Sequence, residues 1–231
     1  HYSNSVYARL ADRLNQFRQG APLSDSLFAF LKILFSEKEA GLVAQLPIKP
    51  FTVDRAAAIW KLDKATAQNM LEDLAGRAML LDMEQNGQQM FCLPPPMAGF
   101  FEFSMMRVRG DVNQKALAEL YYQYLNVEED FVKALFVENG TPLGRIFVQE
   151  AALPQDGKLE VLDYERASHI IKTASHIGVS MCYCRHKMQH LGRACDAPMD
   201  ICMTFNTSAR SLIKYGHARQ VDAAECLDLL A

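Results

Sequence analysis

Apolar side chains at Val6, Leu10, Leu14 and Phe17 recur at helical spacing and predict an opening helix over residues 6–17. Gly20-Ala21-Pro22 breaks that pattern, and Ser24 then opens a strongly apolar helix running to residue 35 and buried on most sides. Ser36-Glu37-Lys38-Glu39 has the S-x-x-E form of a capping box, so a further helix is expected from there to about residue 46. Thr52 caps a short helix through residue 60, and Asp63 caps another over 64–76. Residues 79–83 and 88–93 read as two strands joined at Asn86-Gly87, a strong two-residue hairpin signal. Three helices followed by a hairpin predict a winged helix-turn-helix. Pro94-Pro95-Pro96 closes it and sets the expected boundary between a 1–96 region and a 97–231 domain.

Residues 97–108 are rich in Phe and Met and read as core. Residues 115–125 form a helix with an aromatic face (Tyr121, Tyr122, Tyr124), 127–136 continue as a second helix, and 144–149 read as a short strand. The last third alternates: strand 159–162, helix 164–176, strand 178–183, strand 201–205, helix 208–215, strand 218–221, and a final helix capped by Asp222. Such alternation predicts a small α/β sheet. The expected class is therefore α+β: a helical N-terminal region with a winged helix-turn-helix, then a small α/β domain carrying a cysteine-rich metal loop.

Composition narrows the function classes. Half of the 231 residues are apolar and 22% are charged, ordinary for a soluble globular protein. A net charge of -3 predicts no general attraction to nucleic acid or to an anionic membrane. The longest apolar run, 27–35, is interrupted by Lys32 and too short to span a bilayer, and no secretory signal is evident. The chain opens on His1 rather than Met, which points to a trimmed start. Its six cysteines are not spaced as a disulfide framework, so a reducing compartment, the cytoplasm, is expected.

Charge also bears on the winged helix. Its second helix sets Glu72 and Asp73 against Lys64 and Arg77, and the wing carries Asp82 and Glu84 with no cation. From residue 36 to 93 there are six cations (Lys38, Lys49, Arg55, Lys61, Lys64, Arg77). They face eight anions (Glu37, Glu39, Asp54, Asp63, Glu72, Asp73, Asp82, Glu84). Phosphate contact dominates affinity for DNA, so this surface reads as a protein-docking or structural module.

The chemistry is concentrated at Cys182, Cys184, Cys195 and Cys202, spaced C-x-C-x10-C-x6-C. Arg185, His186, Lys187, His190 and Arg193 lie between the second and third thiols, with no acidic residue before Asp196. Cations near thiols lower their pKa and offset the charge that gathered thiolates accumulate. In an extended strand Cys182 and Cys184 share a face, while Gly192 and Pro198 let the loop return Cys195 and Cys202. Four thiolates complete either a tetrahedral zinc site or a 4Fe-4S cluster, and the spacing matches neither the usual zinc pairs nor ferredoxin repeats. Arg185, His186, Lys187 and His190 are expected around the centre rather than as ligands. Cys226 and Cys92 read as core thiols, and His169 and His176 as ordinary helix residues. No catalytic motif for nucleophilic attack, nucleotide binding or zinc hydrolysis is present in the sequence.

The run CYCRHKMQHLGRACDAPMDICMTF, with PPPMAGFFEFSMMRVR and LEVLDYERASHIIKTASHIG upstream, resembles a group of anaerobe 4Fe-4S ferredoxin-type proteins that place a winged-helix-like region before this segment. The similarity covers most of the chain from about Ser36, and C-x-C-R…C-x2-P-x3-C is its specific part. It implies an electron-transfer protein or oxidoreductase subunit rather than a stand-alone enzyme, with Cys182, Cys184, Cys195 and Cys202 as ligands and a redox protein as partner. Members of that group run on into ferredoxin repeats that this sequence lacks, which points to a fragment or a shorter relative. The competing expectations are a redox- or metal-responsive DNA-binding regulator and a zinc-stabilised interaction protein. Self-association stays open.

Overall fold

The computed structural model describes residues 5–18, 20–138 and 167–230. The strands expected at 144–149 and 159–162 lie outside them. Within them the chain is α+β, and its capping signals act where the sequence places them. Helix α1 (Val6–Leu14) is capped by Ser5, and α2 (Asp25–Leu34) by the Ser24 hydroxyl. Helix α3 (Glu37–Val43) starts in a complete capping box, with Ser36 and Glu39 satisfying each other's backbone amides. Thr52 caps α4 (Val53–Trp60) and Asp63 caps α5 (Lys64–Gly76). Strands β1 (Leu81–Gln85) and β2 (Gln88–Cys92) pair antiparallel around Asn86 and Gly87, whose φ values of 53° and 74° are those of a tight primed hairpin turn. Phe51, just before α4, adds a bridge to Phe91 on β2.

The apolar core begins in these helices and continues past the three prolines. Phe30 of α2 meets Phe101, Tyr121 and Tyr124 edge-on at ring separations of 5.0, 5.0 and 5.4 Å. Phe101 lies in a short helix, α6 (Phe101–Phe103), entered by a π-helical turn over Pro96–Phe100. The Phe/Met stripe is core as expected, with Phe100, Phe101, Phe103, Met105 and Met106 buried. Helix α7 (Gln114–Tyr122) and α8 (Glu129–Lys133) follow, each running on into a π-helical turn. Two hydroxyls tie the aromatic layer: Tyr124 donates to the Pro22 carbonyl at 2.9 Å, and Ser104 and Tyr121 share a bond of 2.9 Å.

After α9 (Ala167–Thr173), β3 (Ile177–Met181) forms the middle of a three-stranded sheet. Its neighbours are β4 (Asp200–Phe205) and β5 (Arg219–Val221), both antiparallel to it. Among the described residues every strand pair is antiparallel, so here the helices connect antiparallel strands. Helix α10 (Tyr183–His190) leaves β3, α11 (Asn206–Lys214) leaves β4, and Asp222 caps α12 (Ala223–Asp228). A second apolar cluster of Ile171, Ile177, Val179, Val221 and Cys226 packs the sheet against α9 and α12. Among the described residues no helix is long and apolar enough to cross a membrane.

The hairpin is fastened to this sheet region by its own acids. Asp82 is buried, and its carboxylate accepts from Lys214, from Tyr215 at 3.0 Å and from Gln89 at 2.9 Å. Glu84 pairs with Arg210, and the Ser211 hydroxyl accepts from the Asp82 amide at 3.0 Å. The sequence treats Asp82 and Glu84 as a free anionic wing surface; both instead hold α11.

Candidate thiolate site

The C-x-C pair does not sit in an extended strand. Strand β3 ends at Met181, Cys182 occupies the N-cap position of α10, and Cys184 lies in that helix's first turn. The two thiols therefore do not share a strand face, and what brings them together is a helix N-terminus. Cys182 supplies no side-chain cap, so the first amides of α10 are left for other partners. One of them, the Tyr183 N–H, lies close enough to the Cys202 sulfur to favour its thiolate.

Cys202 comes from β4, where it pairs with Ser180 of β3. Between that pair and the next, Met181 with Asp200, the register shifts by a β-bulge at Ile201. The Cys182 amide donates to the Met199 carbonyl at 2.6 Å, so the loop before β4 is stitched to the start of α10. Cys195 lies in that exposed loop. Arg185 reaches across to it, with Nε 3.4 Å from its sulfur and an η nitrogen 2.8 Å from the Pro198 carbonyl, and the same guanidinium lies near the Cys182 sulfur. Arg185 thus links the first and third cysteines, while the helix amide lies close to the fourth.

Cys184, Cys195 and Cys202 differ in proton affinity. Burial pushes Cys202 up to about 11, reinforced by the nearby Cys182 sulfur, against the Tyr183 amide that favours its thiolate. Cys184 is raised by desolvation and by Cys182. Cys195 is lowered, because the Ala197 amide and Arg185 both bond to its sulfur. The Cys182 sulfur therefore lies within electrostatic reach of both Cys184 and Cys202. Among the described residues, however, no three His, Cys, Asp or Glu side chains are arranged to hold a single ion.

The cationic residues around the thiols divide into two roles. Arg185 faces them. His186 and Lys187 turn inward, and Lys187, one turn beyond Cys184, favours that thiolate: His186 Nδ1 lies 2.7 Å from the Met105 carbonyl, and the Lys187 ammonium donates to Asn126 at 2.8 Å. His190 Nε2 lies 3.2 Å from His186 Nε2, and its pKa is lowered by burial and by that neighbour. These three anchor the helix rather than contact sulfur. Sequence reasoning missed Tyr183, whose amide reaches Cys202 and whose buried ring packs 6.2 Å from Tyr121. Cys226 is fully buried, and Cys92 packs against the main core with its thiol pushed up to about 11 by burial.

No protein-family model, curated protein or solved structure matches this chain.

Proposed function

We propose that Cys182, Cys184, Cys195 and Cys202 hold one 4Fe-4S cluster and that the chain passes single electrons to a partner redox protein. The observation that carries this reading is the gathering of the thiols: Arg185 bonds to Cys195 and lies near Cys182, and Cys182, Cys184 and Cys202 lie within electrostatic reach of one another at the α10 N-terminus. The donor set fits. Four thiolates at a helix N-terminus next to a guanidinium suit an anionic, sulfur-rich group. A cubane also spreads its ligands more widely than a single tetrahedral ion does. When bound, the cluster supplies a one-electron redox couple. The chain's part is electrostatic. Arg185 and the first amides of α10 offset the negative charge of the thiolates, and donors to sulfur raise a cluster's potential.

In the same reading α3 to α5 with β1 and β2 form a winged helix used for docking to protein. Its cations favour this over DNA: Arg77 is paired with Glu39 and Asp73, and Lys64 with Asp54 at 2.9 Å. Cations committed to neighbouring carboxylates have little left for phosphate.

The test is substitution of one ligand at a time after anaerobic purification. Cys195→Ala, at an exposed loop position, is expected to leave the fold intact by circular dichroism while iron content falls several-fold. Full iron retention in Cys195→Ala and in Cys202→Ser would refute the assignment.

A further inference from the structure

Beside the thiolate site, and independent of what it holds, a cavity of about 640 Å3 opens where β5 stops. Strand β5 pairs with β3 only from Ile177 to Val179, so on the side away from β4 Ser180 and Met181 have no strand partner among the described residues and line the cavity. Met106, Arg107 and Val108 form the opposite wall, residues 216–219 of the turn into β5 close one side, and Asp200 lies at the rim.

Three of its polar atoms are unsatisfied among the described residues. Ser180 and His217 are 5% and 4% exposed, and neither the Ser180 hydroxyl nor His217 Nδ1 has a hydrogen-bond partner; nor has Arg107 Nε. Buried polar groups are nearly always paired, so three orphans around one cavity call for a ligand. Charge says which kind. Arg107 and Arg219 oppose the single carboxylate of Asp200 in the lining. Arg219 meets Glu225 through one η nitrogen and, among the described residues, its other N–H groups make no bond, whereas the neighbouring Arg109 is taken by Asp111 at 2.5 Å. Arg107 makes no ion pair among the described residues; burial and Arg109 both disfavour its charge. An anion in the cavity would relieve that strain.

His217 adds a second requirement. Its Nε2 lies 2.9 Å from the Gly76 carbonyl and donates to it, so in the neutral ring Nδ1 is a lone-pair acceptor. Burial and Arg107 push its pKa down to about 4, which keeps the ring neutral at neutral pH. An acceptor beside two cations selects an anion that also carries a hydroxyl or N–H. Met106, Val179 and Met181 offer apolar surface for a short hydrocarbon body.

We propose that this cavity is a binding site for a small organic oxyanion, carboxylate or phosphate, bearing a hydrogen-bond donor, with Arg107 and Arg219 holding the anion and His217 accepting from the donor. Calorimetric titration of the full chain at fixed ionic strength, with glycolate, acetate and inorganic phosphate as separate probes, tests it. Glycolate should bind saturably and at least threefold more tightly than acetate, which lacks the hydroxyl. Tighter binding of phosphate than of glycolate would assign the natural ligand to the phosphate class, and the reverse order to the carboxylates. Arg107→Gln and Arg219→Gln should each weaken binding about tenfold; Arg219 is exposed, so its variant reports even where the Arg107 variant does not fold. Absence of saturable binding by all three probes, or binding undiminished in Arg219→Gln, would overturn the proposal.

Discussion

Arg185 and His217 illustrate how much the same residue types differ with surroundings. Arg185 is exposed, and its value lies in reaching two sulfurs at once. His217 is buried against Arg107, and its value lies in staying uncharged. That burial has a consequence for stability. An unfolded histidine titrates near 6.5, whereas the folded one titrates at about 4. Between those values the unfolded chain binds more protons, so the stability that depends on a neutral His217 is present above about pH 6.5 and is lost as pH falls toward 4. Denaturant midpoints measured from pH 7 to pH 4 should fall steeply in the native chain and less steeply in His217→Gln, which keeps a donor for Gly76. Parallel pH profiles would show that His217 does not carry the effect. None of this was legible from sequence, where His217 is one polar residue in a turn and nothing marks Arg107 as its neighbour.

Elements with strong local signals were read correctly. Ser24, Ser36, Thr52, Asp63 and Asp222 each accept the amide that their cap position requires, and Asn86-Gly87 makes the predicted turn. Helix α10 was missed because its buried stripe is polar: Tyr183, His186 and Lys187 occupy the inward i, i+3, i+4 positions that hydrophobic residues usually fill. An apolar pattern cannot reveal a helix that buries a histidine and a lysine through hydrogen bonds to Met105 and Asn126. The strand order β4-β3-β5 is equally silent in sequence, since it depends on pairings made across two intervening helices. One residue does record it. Gly178 sits mid-strand where a Cβ would meet the Ala218 Cβ at 2.9 Å and the Thr204 hydroxyl at 3.1 Å. Gly178→Ala should therefore destabilise the chain by about 1–3 kcal/mol through overpacking. An unchanged urea midpoint would mean that the close approach of β3 to its neighbours is not real.

At the scale of the whole molecule, two features of the N-terminal half serve the second half. The aromatic layer around Phe30 and Phe101 extends through Tyr121 to Tyr183 at the start of α10, so the thiolate site is built directly on the main core. The hairpin acids clamp α11, which follows the strand bearing Cys202. The cysteine site thus rests on long-range packing, while its cysteines were visible as a sequence motif and their arrangement was not. Iron and acid-labile sulfide content of chain purified without oxygen tests the account most directly. About four iron and four sulfide per chain are expected, with a broad visible absorption that bleaches on reduction. One zinc per chain without sulfide would contradict it and leave the thiols a structural metal site.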